Sequence, residues 1–308
     1  PNLGGFLIDN FSWRYVFFVN VPLGVFATVA IALLYWEKIS AVKGGIDYVG
    51  SLSYSGAILI TILTVTWIGE DLGILRSPVV WLLFVTAVLL GTFFVRHESR
   101  TANPIIAPDL LRHRPVLAAN AYNLIFGMGN FGVLAYFPTY FQDRYGYSAG
   151  VSGALLTPRA VAQILLSIVA SVYIIKFGYR IPMIAKCLLQ ALTLFLLSLG
   201  LHTLRLGPVT LGTLAWLSFL MVVTGTGLGI GQPASNNAAL DILPGKIAAA
   251  TGIRNTFRLT GGLIGTSMVS MVLAIYGKAH EANGFESVFN VLALLNLINI
   301  PIIFFIPD

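Results

Sequence analysis

Charge is scarce in this chain. Only 10% of its 308 residues are Asp, Glu, Lys or Arg, against about 25% in an average soluble domain. Dividing the length by about 150 would suggest two soluble domains, but 18 basic and 12 acidic residues cannot cover two such surfaces. An ordinary soluble enzyme is excluded. Cysteine is almost absent: Cys187 stands alone inside an apolar block, which rules out a disulfide framework and any Cys-based metal site and leaves a small core residue as its reading. The four histidines, His97, His113, His202 and His280, are scattered in or beside loops and make no metal constellation. No Ser-His-Asp set can be assembled, so no catalytic residue is assigned. Gly245-Lys246 and Gly277-Lys278 are not followed by Ser or Thr and lack the spacing of a phosphate-binding loop. Gly127, Gly129 and Gly132 spell GxGxxG, but inside an apolar run with no preceding strand, and Ser152 stands where a dinucleotide site needs an acid. No cofactor or metal is expected.

Hydrophobic residues make up 57% of the chain, and they fall in long blocks. A helix crosses the roughly 30 Å hydrocarbon core with about 20 residues. Nine blocks of that size are complete: 15 to 36, 47 to 68, 78 to 95, 116 to 141, 151 to 175, 182 to 201, 209 to 232, 248 to 276 and 287 to 306. Residues 1 to 8 read as the end of a tenth, and the chain, opening at Pro1 in mid-pattern, is expected to be the later part of a longer protein. The blocks are far longer than barrel strands of about 10 alternating residues, so the fold class is all-α, a polytopic bundle of membrane helices. Twelve Lys and Arg fall on one side of the alternating blocks and five on the other. The positive-inside rule makes the richer side cytoplasmic. The net charge of +6 then belongs to membrane topology, and no nucleic-acid partner is needed to explain it.

The longest polar interruption, RHESRTANPIIAPDLLRHRP, carries three prolines and four arginines and reads as a cytoplasmic linker. Six complete blocks follow it, as in the second half of a six-plus-six transporter. The expected organisation is 1–36 for the end of one span and the next span of an N-terminal half, 37–95 for two central spans, 96–115 for the linker, and 116–308 for a six-helix half. Three small-residue pairs at GxxxG spacing, Gly225/Gly229, Gly227/Gly231 and Gly261/Gly265, mark close helix–helix approach, as tight packing or as a moving interface.

The opening PNLGGFLIDNFSWRYVFFVNVPLG is the most specific stretch. Pro1, Gly4 and Gly5 match a Gly-Pro-x-x-Gly-Gly element, and Ser12, Trp13, Arg14, Phe18, Asn20, Pro22 and Gly24 match the pattern that opens the following span, with Tyr15 in place of a usual Trp. On these residues the chain resembles the major facilitator superfamily, in particular fourteen-span drug:proton antiporters of the EmrB/QacA type. PTYFQDRYGYSAGVSGALLTPRA and ATGIRNTFRLTGGLIG are similar to that family's junction of spans nine and ten and to the start of its span thirteen. The blocks at 47 to 68 and 78 to 95 fit its two additional central helices. One stretch departs from the pattern: Ile175, Lys176, Phe177, Gly178, Tyr179 and Arg180 stand where the family often has Asp-Arg-Phe-Gly-x-Arg, so the acidic residue of that turn is missing. The resemblance implies that Pro1, Gly4 and Gly5 form a gating interface.

Ionisable groups inside a span are costly and are functional suspects by default. Arg159 lies about eight residues into its block, or roughly 12 Å. Ser152, Arg159, Gln163, Ser167 and Ser171 recur at spacings of seven and four, placing them on one helix face. Arg159 then either lines a cavity or bonds a neighbouring helix. Asn123, Gly127 and Asn130 share a face of the preceding block near Tyr122, Phe126 and Phe131; they suit either a drug-like ligand or interhelical hydrogen bonds. Gln190 and Thr193 are weaker path candidates. Asn236 and Asn237 are expected near the cytoplasmic mouth, and Lys186 is expected to snorkel to the surface. No complete block carries Asp or Glu near its centre. The expected function is secondary, proton-coupled export of small hydrophobic or amphipathic compounds by alternating access, from a lipid-embedded carrier in the plasma or bacterial inner membrane, working as a monomer. Export of one specific metabolite, or a non-transporting scaffold or receptor on the same fold, are the alternatives.

Overall fold

A computed structural model describes residues 2–34, 47–70, 72–101, 104, 113–206, 209–242, 247–277 and 281–307. Among these the elements are α1 (Asn2–Asn10), α2 (Trp13–Leu34), α3 (Tyr48–Glu70), a short 3-10 turn (Leu72–Arg76), α4 (Pro78–Glu98), α5 (Arg114–Tyr145), α6 (Ala149–Ala154), α7 (Thr157–Phe177), α8 (Arg180–Ser198), β1 (Leu204–Leu206), β2 (Val209–Leu211), α9 (Thr213–Asp241), α10 (Ile247–Gly277) and α11 (Glu281–Ile303). Nine spans among the described residues are long and apolar enough to cross a membrane, in the order the hydrophobic blocks dictate. The protein is an all-α, multi-pass membrane bundle.

Local chemistry sets the helix ends. Ser77 caps α4, its hydroxyl accepting from the Val79 amide at 3.3 Å with Pro78 in the first turn. At the other end of α5, Gly146 closes the helix at φ 68° and returns its amide to the Gln142 carbonyl at 2.9 Å. The 151 to 175 block is broken into α6 and α7 around Leu155 and Leu156, because Pro158 in the first turn of α7 has no amide to continue the preceding helix. The block expected from residue 209 starts instead at Thr213; residues 209 to 211 pair antiparallel with β1, Leu204 opposite Leu211 and Leu206 opposite Val209. Its helix runs on to Asp241, so Asn236 and Asn237 lie within α9.

Helices α5 to α11 pack into one body. Its larger apolar cluster joins Phe137, Tyr140 and Phe141 of α5 to Leu194 of α8, Leu217 of α9 and Phe289 of α11. A second joins Tyr122 and Phe126 to Met183, Cys187 and Leu228. The α3–α4 hairpin lies against α10, where the Tyr54 and Thr260 hydroxyls meet at 2.7 Å. Large apolar side chains of α2, α4 and α7 face outward, and α2 buries none of its residues. Buried polar groups with exposed leucines and phenylalanines are what a lipid solvent selects.

Candidate functional site

The three glycine pairs each hold a helix on a backbone. A Cβ on Gly225 would lie 2.2 Å from the Arg159 carbonyl oxygen, and one on Gly229 2.8 Å from that of Gln163, so this pair seats α9 on α7. The offset pair Gly227 and Gly231 seats the other face of α9 on α8, at the backbone and stem of Lys186. Gly261 and Gly265 meet the Leu124 and Met128 carbonyls of α5, and Gly127 meets that of Arg258 in return. Three tight seams therefore surround the polar residues.

The predicted path residues are brought into the same body, where the side chains of Asn123, Asn130, Arg159 and Gln163 bond neighbouring helices. Arg159 is 8% exposed and donates to the Asn130 side-chain oxygen at 3.1 Å, tying α7 to α5. Gln163 donates to the Gln232 side chain at 3.1 Å. Asn123 is buried, donates to the Ala119 carbonyl at 2.7 Å and accepts from the Ser235 hydroxyl at 3.3 Å. Gln190 is buried with its side-chain oxygen lacking a hydrogen-bond partner among the described residues. At the far end of the stripe Ser167 is half-buried, whereas Ser171 is exposed and bonds its own helix at the Ser167 carbonyl. Ser152 is buried but belongs to α6, beyond the helix break.

At the opposite end of the chain, Gly5 packs on α6. A Cβ there would lie 2.6 Å from the Ala149 carbonyl oxygen and 2.9 Å from the Gly150 Cα. One turn on, the Asp9 carboxylate accepts from the Gly150 amide at 2.6 Å. Gly4 has open space at its Cβ position, so of the two glycines only Gly5 makes the contact. Pro1 lies outside the described residues.

Lys186 corrects the sequence reading most sharply. It does not snorkel: it is fully buried, its Nζ donates to the Asn296 side-chain oxygen at 3.0 Å, and the ammonium sits 4.4 Å from the centre of the Phe126 ring. Asn296 is held for this role, since its own amide nitrogen donates to the Leu292 carbonyl at 2.8 Å. Arg254 is also buried at 7% exposure, and Arg258 sits 5.8 Å from the Phe131 ring. The ion pairs among the described residues are Asp47–His97 and Arg144–Glu286, so Arg159, Lys186 and Arg254 have no carboxylate partner there. Sequence periodicity missed Lys186 because it lies six residues from a basic helix start; the Gly227/Gly231 pair was the signal that could have found room for its stem. Asn299, donating to the Tyr122 carbonyl at 3.2 Å, was also missed.

Open grooves run along the outside of this body. One of about 410 Å³, lined by Tyr54, Thr61, Phe94, Leu124, Phe257 and Thr260, separates the α3–α4 hairpin from α5 and α10. Another of about 540 Å³ lies between α8 and α11. Both are apolar and are lined by residues other than the predicted path.

The family model described as Major Facilitator Superfamily matches residues 1–266 and 123–308. The chain is 26% identical over 275 residues to "Multidrug transporter protein MdtP" of Bacillus subtilis, covering 89% of this chain and 49% of that protein. It is 29% identical over 276 residues to "Multidrug resistance protein B homolog" of Mycobacterium tuberculosis, covering 89% and 50%. Against "Aspyridones efflux protein" of Neocamarosporium betae it is 29% identical over 264 residues, covering 82% and 46%. The chain thus spans about half the length of the curated relatives it matches.

Proposed function

The chain belongs to the Major Facilitator Superfamily, and from that premise we propose that the whole protein is a fourteen-span efflux carrier that expels small hydrophobic or amphipathic compounds in exchange for protons. It works by alternating access: the two halves rock about a central path, and each ligand shifts the balance by binding one state better than the other. The relatives named for multidrug transport and for multidrug resistance support the export of such compounds.

The observation that carries the reading is the seam between α1 and α6. Gly5 lets two backbones touch, and the Asp9 carboxylate joins them through a single charge-assisted hydrogen bond. A contact of this kind seals one end of a path when closed and leaves few side chains to disentangle when it opens. Pro1, Gly4 and Gly5 are the gating element in this reading, with Gly5 at the contact. Asn123, Asn130, Arg159, Gln163 and Gln190 supply the polar groups of the path. No cofactor is required beyond the proton gradient, and the carrier works as a monomer in lipid.

Everted membrane vesicles carrying the full-length protein test the proposal with ethidium as the dye. Dye accumulation that collapses on adding an uncoupler supports it; accumulation untouched by the uncoupler overturns it. A second reading, export of one natural product, is favoured by the relative named for efflux of aspyridones. A panel of unrelated dyes competing with one another for transport counts against that reading.

A further inference from the structure

Four helices of the α5 to α11 body meet at one amine. Lys186 leaves α8, its stem lies against Gly231 of α9, its Nζ donates to Asn296 of α11, and its charge faces the ring of Phe126 on α5. The pocket is closed to bulk solvent, since Lys186 and Asn296 are 0% and 2% exposed. An ammonium has three N–H donors, and one of them has an acceptor here. Burying an isolated charge in such surroundings is costly enough that the group tends to neutralise instead.

The partners suit both protonation states. The Asn296 carbonyl oxygen accepts from –NH₃⁺ and from –NH₂ alike, whereas a carboxylate would hold the charged form. The Phe126 ring attracts only the cation. Among the described residues no carboxylate pairs with the amine: the titratable groups beside it are Tyr122 on α5 and Cys187 on α8 itself, which are neutral at pH 7 when unperturbed, and these two groups interact with one another. The nearest acids along α9 and α11, Asp241 and Glu286, stand ten residues from Gly231 and Asn296, roughly 15 Å along each helix. Arg254 on α10 adds a further positive charge on the Tyr122 side.

We propose that Lys186 is the group that carries the exchanged proton, cycling between ammonium and free amine in the pocket formed by Asn296, Phe126 and Gly231; this rests on the proton-exchange reading above. With the path open outward, the amine lone pair takes a proton from external water. With the path open inward, an Nζ–H bond breaks, its electron pair stays on nitrogen, and the proton passes to cytoplasmic water. The switch reaches the amine through the Gly227/Gly231 seam, where any slide of α9 on α8 changes the walls around the Lys186 stem. The assignment also accounts for spans whose described carboxylates all lie near helix ends.

The full-length protein in proteoliposomes, with ethidium as probe, tests this. A pH gradient of about one unit driving one proton per dye supports about tenfold accumulation. Lys186→Met is expected to bring accumulation down to the level without a gradient while dye-for-dye exchange continues. Asn296→Asp places a carboxylate beside the ammonium, so it is expected to fold and to lose the gradient response in the same way; this arm decides the matter if the Met variant fails to fold. Wild-type accumulation retained in either folded variant overturns the role of Lys186 alone. Wild-type transport indifferent to the gradient overturns the proton-exchange reading and this assignment with it.

Discussion

Replacing Gly261 by Ala and, separately, Gly252 by Ala applies the same chemical change twice to helix α10 with opposite expected outcomes. A Cβ on Gly261 would fall 1.9 Å from the Leu124 carbonyl oxygen and 2.8 Å from its carbon, both backbone atoms of α5, while one on Gly252 meets nothing within 4 Å. Ordinary carbon contacts sit at about 3.5–4.0 Å, so α10 and α5 must part by more than an ångström at Gly261. Overpacking of this kind typically costs about 1–3 kcal/mol. Alanine returns about 0.5–1 kcal/mol in an exposed helix interior through lower backbone entropy. Gly261→Ala should therefore be net destabilising by about 1–2 kcal/mol, and Gly252→Ala stabilising by up to about 1 kcal/mol. At roughly 2–4 °C per kcal/mol for a domain of 150–250 residues, the two melting midpoints should differ on the order of 5 °C. Cys187, fully buried in α8, supplies the readout: a thiol-reactive reagent labels it only as the bundle opens, and peptide mass spectrometry along a heating ramp at fixed scan rate gives the midpoint. Equal midpoints, or a higher one for Gly261→Ala, would refute the claim that the seam is a backbone-on-backbone contact.

The same heating assay checks Tyr140→Phe, which removes the hydroxyl donating to the Leu197 carbonyl at 2.9 Å and should lower stability by about 1 kcal/mol. A double-mutant cycle of Arg159→Met with Asn130→Ala should return a coupling of about 0.6 kcal/mol, the typical worth of an interhelical hydrogen bond in lipid; no coupling would separate the two groups. At the polar end of the α3–α4 hairpin, the Gly50 amide hydrogen bond holds the Asp47 carboxyl below the usual carboxylate range, with His97 adding to the effect against the desolvation of the site. A lowered folded-state value means that this group's contribution is present above its ordinary value and disappears as pH falls through the lowered one. Measured against the intrinsic exchange rate at each pH, the Gly50 amide should accordingly be protected at neutral pH, unprotected in strong acid, and unprotected at both in Asp47→Ala.

Hydrophobic length alone places the nine spans, because in lipid a run of about 20 apolar residues has few alternatives to a helix. The break before Thr157 needed the one local fact that Pro158 lacks an amide. Glycine spacing likewise announced the three seams, yet which backbone each glycine touches depends on helices far away in the chain, such as Gly231 against Lys186. Arg159 was legible as a buried cation because it stands deep in an apolar block. Lys186 was not: a lysine one to two turns from a basic helix start is free, on sequence grounds, to extend outward, and only the packing of α9 and α11 closes that route. The Asn130 and Arg159 faces were each visible by periodicity, while their meeting at 3.1 Å is a property of two helices together.

The choice of partners for the buried cations bears on how such a body can move. A buried ion pair resists separation, because removing one partner leaves a bare charge at a cost of about 3–5 kcal/mol. Here Arg159 and Lys186 are held by the neutral amides of Asn130 and Asn296, at the lower worth of about 0.6 kcal/mol that such bonds average in lipid. The seams around them are glycine-lined backbone contacts with few interlocking side chains. Weak polar ties across smooth seams keep two packings close in energy, which is the condition for a ligand or a proton to bias one over the other with a modest difference in affinity. In the proposed carrier, substituting Asn130 by aspartate should therefore do more than alter charge: it should lock the α5–α7 seam, slowing dye exchange even with no gradient applied. Exchange that proceeds at the wild-type rate in a folded Asn130→Asp protein would mean that the α5–α7 tie is not among the contacts that change as the carrier switches.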